Sequence, residues 1–199
     1  MSTARRLHYS YAAYLRALKD SAIKLEYLDG EIYAMAGGTP AHADLSAAAI
    51  ATLVRVLGQG CRVPTSDLKV RIEETDLSTF PDAVVVCGPR AVSAIDENAV
   101  INPTLLVEVT SPSTEDYDRG EKLRHYKHLS SLKAVIFVSH RRAQITIVER
   151  TPAGWAEHDV NAGEEVVLND PACRFPLDEI YRGVELGSDS NAQASGAVD

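Results

Sequence analysis

Three runs of apolar residues in the middle of the chain have the composition of buried β-strands. They cover Ala83 to Val86, Leu105 to Thr110 and Ala134 to Ser139. Their nearly continuous Val and Leu content is typical of central strands that are covered on both faces. The segment between the second and third runs begins with Ser111-Pro112-Ser113-Thr114 and carries acids near its start and lysines near its end, which predicts a helix. A strand, helix, strand succession predicts a crossover between parallel strands.

Shorter elements are predicted on either side of this unit. Asp29-Gly30 is favoured in two-residue hairpin turns, and Thr39-Pro40 is typical of a helix start. From Cys61 to Glu73 apolar and polar residues alternate, which predicts a strand with one buried face and one solvent-exposed face. The other predicted elements are a helix over Ser10–Leu18, hairpin strands over Ile23–Leu28 and Glu31–Met35, a helix over Ala41–Leu57, a turn over Glu74–Thr79, a loop over Pro89–Pro103, and strands over Gln144–Arg150, Trp155–Val160 and Val166–Leu168.

This order of elements predicts an α/β fold with a mixed central β-sheet flanked by helices, an N-terminal hairpin and accessory C-terminal strands. Residues 1–184 are enough for a single domain with a sizeable core. Residues 185–199 are rich in Ser, Gly, Ala and Asn, and we expect them to form a disordered tail.

The cellular compartment is predicted from two observations. No apolar run is long enough to cross a bilayer, and no apolar signal region follows Arg5 and Arg6. The three cysteines are odd in number and widely spaced, so we expect reduced thiols and neither a disulfide nor a zinc site. A cytoplasmic protein is the expectation.

Charge is distributed unevenly along the chain. The formal net charge is −8, which argues against a protein that coats nucleic acid non-specifically. Between Arg119 and Arg150, however, eight basic side chains stand against two acidic ones, a local charge of +6. This segment is compatible with a ligand that carries phosphate.

Two acids interrupt the apolar strands. Asp82 follows Pro81 at the mouth of the first strand, and Glu108 lies inside the second. A buried carboxylate costs several kcal/mol unless it is paired or bound to metal. Mg²⁺ is normally held by one or two carboxylates together with water and phosphate oxygens, and in that form it supports phosphodiester hydrolysis. A divalent metal at Asp82 and Glu108 is therefore our preferred explanation, although Asp82 would also suit a cap on the preceding turn.

Several motifs in this order resemble a known group of nucleases. They are Tyr27-Leu28-Asp29-Gly30-Glu31-Ile32, Thr39-Pro40-Ala41-His42, Ser66-Asp67-Leu68-Lys69-Val70, Pro81-Asp82, Glu108-Val109-Thr110-Ser111-Pro112-Ser113-Thr114 and Tyr117-Asp118-Arg119-Gly120-Glu121-Lys122-Leu123-Arg124-His125-Tyr126. The chain is similar to the PD-(D/E)XK nuclease superfamily and, more narrowly, resembles the Uma-two family of putative restriction endonucleases. The likeness implies a restriction-endonuclease-like core with the order αβββαβ, and a metal-dependent endonuclease acting on nucleic acid, with DNA expected.

The resemblance also assigns roles to residues. It implies that Asp82 and Glu108 bind Mg²⁺ or Mn²⁺. The superfamily lysine comes two residues after the glutamate, where this chain has Thr110, and the likeness implies that Lys122 replaces it. Tyr126, one helical turn further, could bind phosphate or position the lysine.

Three supporting residues and a second function remain open. Glu31 and Asp67 are expected near the same cleft, or in structural ion pairs with Lys69 or Arg71, and His42 is a further candidate. Tyr126 could instead pack over the sheet. Thr110 and the acidic net charge favour the alternative of an inactive binding or scaffold protein with the nuclease fold. A homodimer is compatible with cutting both strands.

Overall fold

The computed structural model describes residues 7–35 and 37–186. Its helices are α1 (Tyr11–Asp20), α2 (Pro40–Val56), α3 (Glu115–Tyr117), α4 (Leu123–Tyr126) and α5 (Asp178–Tyr181), with a 3-10 turn at Glu73–Thr75 and a π-helical turn at Asp118–Lys122. The strands are β1 (Leu25–Leu28), β2 (Glu31–Ala34), β3 (Cys61–Arg62), β4 (Lys69–Ile72), β5 (Leu77–Thr79), β6 (Ala83–Cys87), β7 (Val92–Ser93), β8 (Asp96–Val100), β9 (Leu105–Val109), β10 (Ala134–Val138), β11 (Gln144–Thr151), β12 (Gly154–Asn161), β13 (Glu165–Leu168) and β14 (Cys173–Pro176). Among these described helices, none is long and apolar enough to span a membrane. The predicted disordered tail lies, from residue 187 onward, outside the described residues.

The strands form two mixed six-stranded sheets and a separate hairpin. The first sheet has the order β2-β1-β5-β4-β8-β7, the second has the order β12-β11-β10-β9-β6-β3, and β13 pairs with β14. In the second sheet β9 is parallel to β10 and antiparallel to β6. The prediction of a parallel pair joined through a helical segment is confirmed.

Helices cover both faces of the second sheet. On one face, the alanine-rich helix α2 packs Leu45, Ala49 and Leu53 against the side chains of β6 and β9. On the other face, Leu123 and Tyr126 pack against alternate residues of the same strands. We call the segment 115–126, which comprises α3, the π-helical turn and α4, the site helix. Because side chains alternate along a strand, Glu108 lies on the same face as Leu106, towards the site helix.

The hairpin and the helix starts form for the predicted reasons. Asp29 and Gly30 both have positive φ, 42° and 85°, in the two-residue turn between β1 and β2. Ser10 accepts a hydrogen bond from the Ala13 N–H and caps α1, and Thr39 accepts one from the His42 N–H and caps α2. Position 42 is thereby fixed in the first turn of α2, facing the sheet.

The first sheet contains strands that the sequence pattern did not predict. Leu77–Thr79, expected to be a turn, forms β5 between β1 and β4. The expected loop Pro89–Pro103 contains β7 and β8. The expectation of a wet face on β4 is wrong, because Lys69 and Arg71 are both buried. Their charges are paired with Asp96 and Asp76, which allows polar residues to occupy the interior.

The expectation of reduced thiols is wrong for two of the three cysteines. Cys61 and Cys87 are joined by a disulfide, and they are direct partners in the antiparallel pairing of β3 with β6. Their 26-residue separation in the sequence gave no sign of this pairing. The bond attaches the short edge strand β3 to the central part of the sheet, while Cys173 remains a free thiol.

Candidate active site

Glu108 lies in the middle of the second sheet and is only 4% exposed. Phe137 of β10 is its direct partner in the parallel pairing. Burying a neutral Leu or Val at such a position would stabilise the fold by about 1.5–3 kcal/mol, whereas a lone carboxylate would cost several. The carboxyl group of Glu108 therefore needs hydrogen-bond or ion-pair partners within contact distance. Nζ of Lys122 lies 2.9 Å from Oε1 of Glu108, and the Tyr126 hydroxyl donates a hydrogen bond to the same oxygen.

Lys122 is surrounded by carboxylates. It is 4% exposed, and its Nζ lies 3.4 Å from Oδ1 of Asp118 and 3.8 Å from Oε1 of Glu26, in addition to its contact with Glu108. The π-helical turn spans Asp118–Lys122, so both residues project from this widened turn into the interior. Turns of this type occur frequently at functional sites. One ammonium group therefore serves three carboxylates.

Glu26 and Asp118 are members of the site that the sequence did not indicate. Glu26 lies on β1, where its Oε1 accepts hydrogen bonds from the Thr79 hydroxyl and, at 3.3 Å, from the Phe80 N–H. Those contacts depend on β5, which the sequence pattern placed in a turn. Asp118 looked like one of several acids at a helix start. Several acids around one lysine indicate a functional site, but this arrangement can be recognised only when the order of the strands in the sheet is known.

Asp82 is held at the end of β9. Because β6 is antiparallel to β9 and Ala83 pairs with Val107, the residue before β6 reaches the end of β9. Oδ2 of Asp82 accepts a 2.7 Å hydrogen bond from the Val109 N–H. Nε2 of His42, from the first turn of α2, lies 3.4 Å from the same oxygen. The structure thus brings five residues to the edge of the sheet at which β9 ends, and we call them the Glu108 group: Asp82, Glu108, Lys122, Tyr126 and His42.

Burial and neighbouring charges shift the pKa values of this group. Burial raises the pKa of Glu108 to about 8; the carboxylates of Asp118 and Asp82 add to the rise, and Lys122 and Tyr126 oppose it. Burial alone would lower the pKa of Lys122, but Glu108, Tyr126, Glu26 and Asp118 raise it above its usual value. Lys122 is therefore an ammonium ion at neutral pH, and Glu108 is a carboxyl group that readily keeps a proton.

Tyr126 and His42 also keep their protons more firmly than usual. Burial, followed by the charge of Glu108, raises the pKa of Tyr126 well above 10, so the phenol remains a hydrogen-bond donor. The hydrogen bond with Asp82 raises the pKa of His42 against the opposing effect of burial. Both side chains therefore present protons to the two acidic groups.

The donors at this edge are suited to a hard divalent cation. Asp82 and Glu108 offer carboxylate oxygens, and their mutual repulsion is one cause of the raised pKa of Glu108. The carboxylates outnumber the single lysine, so an added cation would be attracted. Within the described residues, no group of three or more His, Cys, Asp or Glu side chains is arranged to hold a metal. Two carboxylates supplemented by water and phosphate fit Mg²⁺ or Mn²⁺, and they do not fit a structural zinc site.

Thr110 fills the position at which the resemblance leads one to expect a lysine. Its side chain is fully buried, and its Oγ1 lies 2.9 Å from Nδ1 of His140 and accepts a 3.3 Å hydrogen bond from the His140 N–H. The ammonium that reaches Glu108 comes instead from the site helix, through Lys122.

The two other predicted supporting residues, Asp67 and Glu31, have contacts of their own. Asp67 is exposed and pairs with Lys24 at 2.9 Å, and its hydrogen bond with Lys24 lowers its pKa. Glu31 accepts a hydrogen bond from the Tyr33 hydroxyl on the outer strand β2. Asp67 therefore lies outside the Glu108 group, and the ion pairs expected with Lys69 or Arg71 are made by Asp96 and Asp76.

Comparisons with known proteins give the same family as the sequence motifs. A family model, Uma2, described as "Putative restriction endonuclease", matches residues 11–176. "Uncharacterized protein slr1290" of Synechocystis sp. is 37% identical over 163 residues, which are 81% of this chain and 85% of that protein. "Uncharacterized protein sll1609" of Synechocystis sp. is 27% identical over 128 residues, which are 64% of this chain and 72% of that protein.

A solved structure has the same fold. The crystal structure of a putative nuclease belonging to DUF820 from Anabaena variabilis superposes with a TM-score of 0.69, at 16% identity, over 86% of this chain and 96% of that chain. The mixed α/β architecture, with sheets flanked by helices, is restriction-endonuclease-like, as the sequence predicted.

Proposed function

The chain belongs to the Uma2 family, and from this premise we propose that it is a metal-dependent endonuclease that hydrolyses phosphodiester bonds in DNA. One observation carries the proposal: a buried lysine, Lys122, contacts the buried carboxyl group of Glu108 next to Asp82. Replacing a buried ion pair by apolar residues is often neutral or stabilising, so fold stability alone does not account for this group. A catalytic role at this edge of the sheet explains why these charges are buried here.

Asp82 and Glu108 are the residues that would hold the metal. When bound, Mg²⁺ or Mn²⁺ would supply an activated water and neutralise charge on the phosphate. The Val109 N–H fixes the carboxylate of Asp82, and the Tyr126 hydroxyl fixes that of Glu108. Both carboxylates are thereby oriented before substrate arrives, which lowers the cost of organising the site.

Lys122 would act as a fixed positive charge. Its raised pKa means that it keeps its proton at neutral pH, so it is unsuited to act as a general base. An ammonium group held at 2.9 Å from Glu108 can stabilise the negative charge that develops on a phosphate during attack by water. Tyr126 has a positioning role, because its hydroxyl donates to the carboxylate that Lys122 contacts.

The family description and the charge distribution support DNA as the substrate. A restriction endonuclease acts on DNA, and the segment between Arg119 and Arg150 carries a local charge of +6. Cutting both strands would be served by a homodimer with twofold symmetry. Light scattering during size-exclusion chromatography would measure whether the chain forms one.

Plasmid cleavage tests the proposal. The purified chain is incubated with supercoiled plasmid and Mg²⁺ or Mn²⁺, and the variants Asp82→Ala and Glu108→Ala are compared with it. We expect both variants to lose cleavage. Asp67→Asn is the matched control, because Asp67 is an exposed carboxylate outside the Glu108 group, and it should cleave as the wild type does. Undiminished cleavage by either site variant would contradict the assignment.

One observation favours a second function, that of a nuclease-fold scaffold without catalysis. Thr110 is bonded to His140 at the position where the superfamily lysine is expected. A chain of that kind would bind neither Mg²⁺ nor Mn²⁺ at this edge. Metal binding that Glu108→Gln abolishes would contradict the scaffold function.

A further inference from the structure

A cluster of basic side chains lies beside the Glu108 group. His140, Arg141 and Arg142 follow the end of β10 and precede β11; we call them the basic turn. Arg141 and Arg142 are exposed, and His140 is partly buried. Arg119 of the site helix approaches the same region. None of these four residues has a part in the proposed hydrolysis.

The structure holds the side chains of the basic turn in defined positions. His140 is bonded to Thr110 through both its ring and its backbone N–H. Nε of Arg141 donates a 3.1 Å hydrogen bond to Oε2 of Glu115. Nε and Nη2 of Arg142 donate to Oε1 of Gln144 at 3.2 and 2.9 Å. Arginines held in this way lose less conformational entropy when they bind a further anion.

Strand order places the basic turn next to the metal-binding carboxylates. The strands run β6, β9, β10, β11 across the sheet. Asp82 precedes β6, and the basic turn follows β10, so both lie at the edge where the parallel strands β9 and β10 end. Neighbouring strands are about 4.8 Å apart, so two strand spacings, about 10 Å, separate Asp82 from the turn along this edge.

Arg119 connects the basic turn to the Glu108 group. Its guanidinium lies over the ring of Phe137, 5.1 Å from the centroid, and Phe137 is the direct strand partner of Glu108. Nε of Arg119 is also 3.3 Å from Oε1 of Glu115, whose other oxygen receives Arg141. A single carboxylate thus aligns two arginines, one from the site helix and one from the turn.

At this surface three arginines stand against two acidic side chains, on a protein whose formal net charge is −8. Arg119 and Arg141 both contact Glu115. Arg142 is linked to Asp159 through the side chain of Gln144. Oδ1 of Asp159 also accepts a hydrogen bond from the Thr146 hydroxyl. Arg150, in the same segment, has a structural role instead, because it donates to the backbone oxygens of Leu132, Leu129 and Lys127.

We propose that Arg141 and Arg142, with Arg119, bind backbone phosphates of the nucleic acid next to the bond that is cut. This assignment rests on the proposed nuclease function, because it takes the ligand to be a nucleic acid that also reaches Asp82 and Glu108. The turn would position the strand along the edge of the sheet. Contacts to phosphate give affinity and register without reading the base sequence.

Binding and its salt dependence test the assignment. In a Glu108→Gln background, which prevents cleavage, fluorescence anisotropy with a labelled DNA duplex is recorded between about 50 and 200 mM salt. Each lost phosphate contact reduces the slope of log K against log salt by about 0.9, so Arg141→Ala/Arg142→Ala should reduce it by about 2 and weaken binding at least about tenfold. Arg174→Ala is the control, since Arg174 is exposed and paired with Glu165 on the β13-β14 hairpin, and it does not belong to the basic turn.

The outcomes separate this assignment from the proposed function. An unchanged slope and affinity in the double variant would overturn the role of the turn, even if the wild type cleaves plasmid. A wild type that binds through the turn but does not cleave would retain the assignment and overturn hydrolysis. Absence of any binding would overturn the assignment. If the double variant unfolds, Arg142→Ala alone, which breaks no ion pair described in the structure, should still lower the slope by about 1.

Discussion

Lys122 and Lys69 are both buried, and each contacts a strand carboxylate, but the charges around them differ. Lys69 is 2.6 Å from Oδ2 of Asp96, and the Tyr11 hydroxyl donates to the same oxygen at 2.7 Å. Beside it, the guanidinium of Arg71 pairs with Asp76 and stacks 4.0 Å from the centroid of Tyr11. In this cluster, beneath α1, two cations balance two carboxylates.

Around Lys122 the balance is negative. One ammonium group faces Glu108, Asp118 and Glu26, and Asp82 lies close by with His42. In the cluster around Lys69 the two positive and two negative charges cancel, and the cluster joins α1 to the first sheet. The second has more carboxylates than ammonium groups, and two of those carboxylates, Asp118 and Asp82, add to the rise that burial causes in the pKa of Glu108. Burial of charges therefore does not by itself indicate a functional site, whereas a group of buried charges that do not cancel does.

The largest expected difference between the two clusters is in stability. Asp96→Asn should lower the free energy of unfolding by about 3–5 kcal/mol, because it leaves Lys69 buried without a counter-ion. At about pH 5, where Glu108 keeps its proton, Glu108→Gln should change it by about 1 kcal/mol or less, because Lys122 keeps Asp118 and Glu26. Urea denaturation of both variants in metal-free buffer measures these free energies of unfolding. Equal losses of stability would remove the distinction.

Activity should depend on Lys122 and not on Lys69. We expect Lys122→Met to lower the cleavage rate by about 10²–10³-fold, because a fixed charge near the phosphate is lost. Lys69→Met should leave the rate per folded molecule near that of the wild type, although it destabilises the protein. Rates are normalised to the folded fraction measured by circular dichroism. A rate for Lys122→Met within a factor of two of the wild type would show that Lys122 has only a structural role.

Stability of the metal-free protein should fall as pH rises. The pKa of Glu108 in the fold, about 8, is above its ordinary value of 4.5, so the folded state binds this proton more tightly than the unfolded chain does. The stabilisation is complete below about pH 4.5 and is lost as pH rises through 8; we expect a loss of about 4 kcal/mol between about pH 5 and 8.5. His42, whose pKa is also raised, contributes in the same direction. Denaturant titrations of the wild type and Glu108→Gln should differ in slope, and parallel curves would exclude Glu108 as the source.

The smallest of these effects is expected for Tyr126. Tyr126→Phe removes the hydroxyl that donates to Glu108 but keeps the ring in the core. We expect a loss of about 1 kcal/mol of stability and a decrease in cleavage of about tenfold or less, mainly in kcat. Leu123→Ala, on the same helix, serves as a packing control. A change only in stability would confine Tyr126 to packing over the sheet.

Part of the fold and of the site could be predicted from the sequence because the signals are local. The Val-rich runs identify β6, β9 and β10, and an acid within such a run, like Glu108, stands out against its apolar neighbours. The dipeptide Asp29-Gly30 fixes the hairpin through residues that tolerate positive φ. Pro81-Asp82 is also a local signal, because it directly precedes the apolar run of β6.

The remainder depends on contacts between distant segments. Glu26 reaches Lys122 only because the three-residue strand β5 places β1 beside β4. The alternation of Lys69 and Arg71 with apolar residues indicated a wet face, and the acids that neutralise them, Asp96 and Asp76, lie in segments that were expected to be loop and turn. The strands β5 and β7 have only three and two residues, and β8 begins with three polar residues, so none of the three has a pattern that identifies it alone.

The most direct test of the excess negative charge is a calorimetric titration of the metal-free chain with Mn²⁺. We predict one ion per chain, bound more tightly as the pH rises towards 8 because Glu108 must release its proton, and absent from both Asp82→Asn and Glu108→Gln. Asp67→Asn should bind as the wild type does. Equal binding by Glu108→Gln, or no binding by the wild type at pH 8, would contradict the account.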